Sequence, residues 1–235
     1  MANYVKEDID RWFDYSYLSS KRMIHIGSHN AEMTHESGES GTDCQMSEFF
    51  IKAITHLNCV SNQPIIIHMN NLGGDWYHGM SIYDAIRAST AHVYGICWGY
   101  AMSMGSIIIQ ACDTRITAPH CTFMIHDGYD SLSGSCKTIE AWAKHVAKLR
   151  EKMYKIYLSR MKSAKPRITL KRIEELCSHD TLFNAEEAVK YGLADWVLEN
   201  LEDPYKYYAT DNQDAKWQPT MKSGKHEVEE DGDDE

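Results

Sequence analysis

No stretch of this 235-residue chain reaches the roughly 18 consecutive apolar residues that a membrane-spanning helix needs, so a membrane role is not expected. The opening MANYVKEDIDRWFDY has acids early and no apolar core, so it does not read as a secretory leader. The seven cysteines (44, 59, 97, 112, 121, 136 and 177) form no CxxC pair. Their odd number and irregular spacing predict reduced thiols and a cytoplasmic setting. A basic excess is also missing: the net charge is −10, which argues against a nucleic-acid partner. Eleven acids against four bases in residues 200–235 supply −7 of that charge, so the body is nearly neutral. No internal repeat is evident.

What remains is an ordinary globular composition, 43% hydrophobic, long enough for one large domain with a real core. Residues 1–20 read as a short helix or an extended arm. KRMIHIG (21–27) reads as a strand ending at a glycine, and residues 30–47 as a polar, mobile surface loop. Phe50, Ile51, Ile54 and Leu57 recur at helical spacing. Pro64 to Met69 is a continuous apolar strand, followed by a Gly-Gly turn and a helical pattern from Met80 to Ile86. The next unit repeats that logic, with a strand at 93–97 and a helix running to Ala111. Short strands follow at 115–118 and 122–126. Strands alternating with helices predict an α/β architecture with a parallel sheet.

The longest periodic segment is 137–162, where Ile139, Trp142, Val146, Leu149, Met153 and Ile156 form one apolar stripe. It follows the loose stretch DGYDSLSGS, so packing on its own core and packing on another subunit are both open. Asn184 with Glu187 reads as a capping box, ending before Gly192, and 193–198 as a final strand. The last ten residues, HEVEEDGDDE, carry seven acids and are expected to stay disordered.

The stretch VYGICWGYAMSMGSIIIQA (93–111) carries the chemistry. Between its apolar runs, Ser103 lies at a strand-to-helix junction, flanked by Met102, Met104 and Gly105. The first turn of a helix offers free N–H groups and a positive dipole end, where a nucleophilic serine finds stabilisation for an oxyanion. Close packing beside Gly105 is the plain alternative. A serine hydrolase also needs a base, an orienter and oxyanion donors. His126 ends the strand FMIH, Asp180 lies in a loop between two helices, and the turn Asn70 to Gly74 lets backbone approach a ligand. Asp127 is a second carboxylate, but the neighbour of a histidine along a strand points to the opposite face.

Taken together, the Gly-Gly turn, GMSIYDAIRA, GYAMSMGS, FMIH, the long helix and HDTLFNAEEAVKYGLADWVL resemble the proteolytic subunit of Clp protease. The resemblance runs from Phe13 to Leu198, with residues 30–47 as an insertion. It implies a Clp/crotonase-like fold of repeated ββα units, with a peptidase domain at 21–200, a protruding handle at 127–162, an N-terminal arm at 1–20 and an acidic extension at 201–235. Residue by residue, Ser103 resembles the family's nucleophile, His126 its base and Asp180 its third member. Gly74 and Met104 resemble the oxyanion donors.

No cofactor and no metal are implied. The implied partners are further copies of the chain in a ring (a heptamer or stacked heptamers), an AAA+ unfoldase, and unfolded protein or peptide substrates. Departures are visible. The family's Asn-Ser-Pro-Gly-Gly is Asn70-Asn-Leu-Gly-Gly74, its Gly-Gln-Ala-Ala-Ser is Gly99-Tyr-Ala-Met-Ser103, and the arginine before its third triad member is His179. They mark a diverged relative, of a kind phage genomes also carry. The alternatives are a phage head-maturation protease of the same fold, a crotonase-type acyl-CoA enzyme, and a catalytically silent ring subunit.

Overall fold

A computed structural model describes residues 6–27 and 41–198. The expectations for 1–5, for 28–40 and for the acidic extension from 199 onward lie outside the described residues.

Strands β2 (Met23–Ile26), β3 (Ile65–Asn71), β4 (Val93–Met102), β5 (Thr114–Thr117) and β8 (Trp196–Val197) lie side by side and parallel. The short β1 (Tyr17–Leu18) pairs antiparallel on the β2 edge. The expected parallel α/β sheet is therefore present, with antiparallel additions. β6 (Thr122–Ile125) runs parallel to the far end of β4, and β7 (Thr181–Phe183) pairs antiparallel with β6.

Strand β4 is longer than its apolar run suggested because it serves two neighbours. Tyr94 to Cys97 pair with β5, and Tyr100 to Met102 pair with β6. A register shift against β3 between Met69 and Asn71 absorbs the change. The strand thus carries the chain directly to Ser103.

Helix α1 (Lys6–Tyr15) precedes β1, so the arm is partly helical. Helix α2 (Cys44–Val60) begins inside the stretch expected to be loop, because Asp43 accepts a hydrogen bond from the Met46 N–H and caps it. It buries Phe50, Ala53, Ile54 and Leu57, while Ile51 is exposed. Helix α3 (Trp76–Arg87) is capped by Asp75, which accepts from the Tyr77 and His78 N–H groups. The core is largely aliphatic, with Ile65, Ile67, Met69, Ile82 and Ile108 fully buried.

Helix α5 (Cys136–Ala164) is the long one. Its first half exposes Ile139 and Trp142, while its second half buries Met153, Tyr154, Tyr157 and Met161. The buried stripe is therefore offset from the expected one, and half-buried Ile156 lies beside it rather than in it. Helix α6 (Leu170–Cys177) and helix α7 (Ala185–Tyr191) complete the chain, the latter with the expected Asn184–Glu187 capping box and Gly192 at its C-terminus. Buried Arg115 ties this end down, donating to Asp195, to the Gln110 side chain and to the Gly192 carbonyl.

Candidate active site

Ser103 sits between β4 and helix α4 (Met104–Ile108), with φ 50° and ψ −123°. A side chain at positive φ is strained, and such strain is held only where neighbours over-determine it. Here the Ser103 N–H donates to the Met124 carbonyl at 2.9 Å. Its own carbonyl accepts from the Ser106 N–H at 3.0 Å and from the Ser106 hydroxyl at 2.7 Å.

Sheet register delivers the other two groups. Pairing of Ile125 with Thr181, carried one step further, sets His126 opposite Asp180. His126 Nε2 lies 2.7 Å from Ser103 Oγ, and His126 Nδ1 lies 2.9 Å from Asp180 Oδ1. A proton leaving Ser103 thus has an acceptor, and the imidazolium that forms has a carboxylate behind it. The imidazole is mostly covered, but the Asp180 side chain is 70% exposed. The Asp180 loop is nonetheless anchored: the Thr181 hydroxyl donates to the Leu176 carbonyl at 2.6 Å, and the Asp127 N–H to the Cys177 carbonyl at 2.7 Å. The two ring nitrogens of His179 face the Ser178 and Thr181 hydroxyls of the same loop.

Asp127 does point away from the site. It accepts from the Tyr154 hydroxyl at 2.5 Å and faces Arg150 at 3.7 Å. Burial and the Asp127 hydrogen bond hold the Tyr154 phenol well above its ordinary range, so it stays protonated as the donor. Burial likewise pushes the neighbouring Cys177 thiol up to about 12, which keeps it inert.

The Gly-Gly turn lies directly against the serine. A Cβ on Gly73 would fall 2.7 Å from the Ser103 Cβ and 3.1 Å from the Met104 nitrogen. Thr42 bridges the outer side of the turn, its N–H donating to the Gly73 carbonyl and its carbonyl accepting from the Asp75 N–H. In a parallel bridge the residue between those two directs its own N–H to the opposite side, so the Gly74 N–H points away from Thr42 although the two residues pack closely. Met104, the first residue of α4, has no acceptor for its N–H within the helix.

Several residues that shape this site escaped sequence reasoning. Buried Asn71 accepts from the Gly73 N–H at 2.9 Å and donates to the Gly27 carbonyl at 2.7 Å, shaping the turn where the resemblance leads one to expect a proline. An asparagine bonding two residues ahead is a local turn signal that the sequence does carry. Thr42, Tyr154 and Tyr157 carry no such signal, since each acts on a residue that only the fold brings near, whereas Ser106 reaches back three residues to the Ser103 carbonyl within its own helical turn.

The family model described as Clp protease matches residues 9–201. The chain belongs to the Clp protease family. Among curated members of that family, the "ATP-dependent Clp protease proteolytic subunit" of Deinococcus radiodurans is 32% identical over 198 residues, covering 83% of this chain and 89% of the relative. The protein of the same name from Angiopteris evecta is 32% identical over 193 residues, covering 79% and 88%. A solved ClpP1 point mutant from Listeria monocytogenes superposes with a TM-score of 0.64 at 24% identity, covering 79% of this chain and 95% of that one. That last likeness concerns the Clp fold alone.

Proposed function

We propose that this protein is a serine endopeptidase, the proteolytic subunit of a Clp-type ATP-dependent protease. The observation that carries the reading is the unbroken line from Ser103 Oγ through the His126 ring to Asp180, at 2.7 and 2.9 Å. Ser103 attacks the scissile carbonyl while neutral His126 takes its proton, and Asp180 holds the imidazole by its Nδ1–H. The carbonyl oxygen becomes an oxyanion between the Gly74 and Met104 N–H groups. His126 then returns the proton to the leaving amine, and water hydrolyses the acyl-enzyme by the same steps.

The name of the relatives, ATP-dependent Clp protease proteolytic subunit, supports work with an ATP-driven partner; a ring of identical subunits, unfolded substrates and a cytoplasmic setting belong to the same proposal. The exposed first half of α5 is the surface through which two rings would meet. A crotonase-type reading has no use for the hydrogen-bonded line, and a silent subunit has no reason to keep it.

The test is hydrolysis of a fluorogenic peptide by the purified protein, with native mass measurement of the same sample. Turnover that falls by roughly 10⁴-fold or more in Ser103→Ala, with the assembly intact, supports the proposal. Turnover near the wild-type rate in that variant removes Ser103 as the nucleophile.

A further inference from the structure

Helix α5 reaches the candidate active site from beneath through a buried chain of hydroxyls. Tyr157 and Ser106 are both fully buried. The Tyr157 hydroxyl lies 2.7 Å from Ser106 Oγ, and Ser106 Oγ donates to the Ser103 carbonyl at 2.7 Å. A serine hydroxyl has one proton, and Ser106 spends it on Ser103, so Tyr157 is the donor to Ser106. The direction of the chain is therefore set: Tyr157 to Ser106 to the carbonyl of Ser103.

That carbonyl shares a planar peptide unit with the N–H of Met104, and in a trans peptide the two point in opposite directions. Holding the C=O of Ser103 on the helix side aims the Met104 N–H the other way, beside the Gly73 turn. Each hydrogen bond received by the carbonyl also polarises the amide and strengthens its N–H as a donor. Ser103 needs this support, because its φ of 50° and ψ of −123° lie outside the common wells and a slackened peptide would rotate away from them.

We infer that Ser106 and Tyr157 are positioning residues for the oxyanion hole: they orient and polarise the Ser103–Met104 peptide unit so that its N–H meets the oxyanion. The inference rests on the peptidase reading above and goes further, because it assigns transition-state stabilisation to a phenol on another helix, 54 residues from the nucleophile in sequence.

Tyr157→Phe, Ser106→Ala and the double variant test it. The phenylalanine is isosteric and leaves only an acceptor lone pair unused, and the double variant leaves no polar group unpaired, so folded protein is available even if Ser106→Ala alone is weakened. A donor held loosely rather than removed should cost less than the 10²–10³-fold of a deleted one, so kcat is expected to fall roughly tenfold in each single variant, with KM unchanged. A peptide boronate, whose tetrahedral adduct on Ser103 places an oxygen at the oxyanion position, should lose affinity by the same factor as kcat. Because Tyr157 acts only through Ser106, the double variant should be no worse than Ser106→Ala.

Wild-type kcat and boronate affinity in correctly folded variants would overturn the inference. So would losses that multiply in the double variant, or a drop in melting temperature with boronate affinity unchanged. If the wild-type protein itself neither hydrolyses peptide nor binds the boronate, it is the peptidase reading that fails, and the inference falls with it.

Discussion

Gly73→Ala separates contact from backbone strain at the candidate site. Gly73 has φ +115°, a region nearly closed to side chains, and its new Cβ would sit 2.7 Å from the Ser103 Cβ. Gly128 has φ +82° with nothing within 4 Å of an added Cβ, so it is the control for strain alone. Backbone strain is expected to cost about 1–2 kcal/mol at Gly128 and up to about 3 kcal/mol at Gly73. Overpacking adds about 1–3 kcal/mol at Gly73 only. The alanine there should cost up to about 6 kcal/mol, against an ordinary margin of about 5–15 kcal/mol.

The effect on activity should be larger in relative terms. Ordinary carbon contact begins near 3.4 Å, so relief requires Ser103 and the turn to part by roughly 0.7 Å. Misplacement of that size costs on the order of 10²-fold in rate. Urea unfolding at one protein concentration, alongside peptide hydrolysis, measures both. If Gly73→Ala costs no more stability than Gly128→Ala and keeps near wild-type turnover, the turn is not pressed against the serine and the account of the site is wrong.

Three further outcomes follow from particular groups. Asp180→Asn should lower kcat by roughly 10–10²-fold, less than the 10⁴-fold of a buried triad carboxylate, because the Asp180 side chain is 70% exposed and water screens its charge; a drop as deep as Ser103→Ala in a pH–rate series would show that the site closes over it. Buried His68 accepts from the Trp98 indole at 3.0 Å, and burial, with a smaller contribution from His25, lowers its pKa to about 4. The neutral ring favours the fold, so stability should be full above the unfolded value near 6.5 and fall by up to about 3 kcal/mol as pH drops to 4; His68→Phe should flatten that part of a urea-midpoint profile, and an unchanged slope would refute the assignment. Asp195→Ala should cost about 3–5 kcal/mol in the same assay, since it strands the guanidinium of Arg115, a side chain 4% exposed; a loss under about 1 kcal/mol would show that Gln110 and Gly192 suffice.

Local signals were the legible ones. The Asn184–Glu187 capping box needs only four residues to declare itself, and it stands as read. The apolar strand beginning near Pro64 and the helix pattern of 48–57 declare themselves by period, although Ala53 takes the buried place that Ile51 seemed to claim. The stripe on α5 is harder to place. Tyr154 and Tyr157 face the core with their hydroxyls satisfied, and a reading that counts tyrosine as half polar misplaces the buried face. Strand β7 has three residues and exists because β6 is beside it, so no periodicity announces it. Ser103, His126 and Asp180 were legible through the resemblance. The residues that hold them, Ser106 and Tyr157 above all, are joined only by the packing of α5 beneath α4.

The proposed peptidase stands or falls with Ser103 as the nucleophile of a working triad. A fluorophosphonate, whose phosphorus is attacked by an activated serine Oγ with loss of fluoride, tests it most directly when the phosphonylated peptide is located by mass spectrometry. One label per chain is expected, on Ser103, absent in Ser103→Ala and strongly slowed in His126→Ala. A folded protein that takes no label, or one whose label lies on another serine and survives Ser103→Ala, would contradict it.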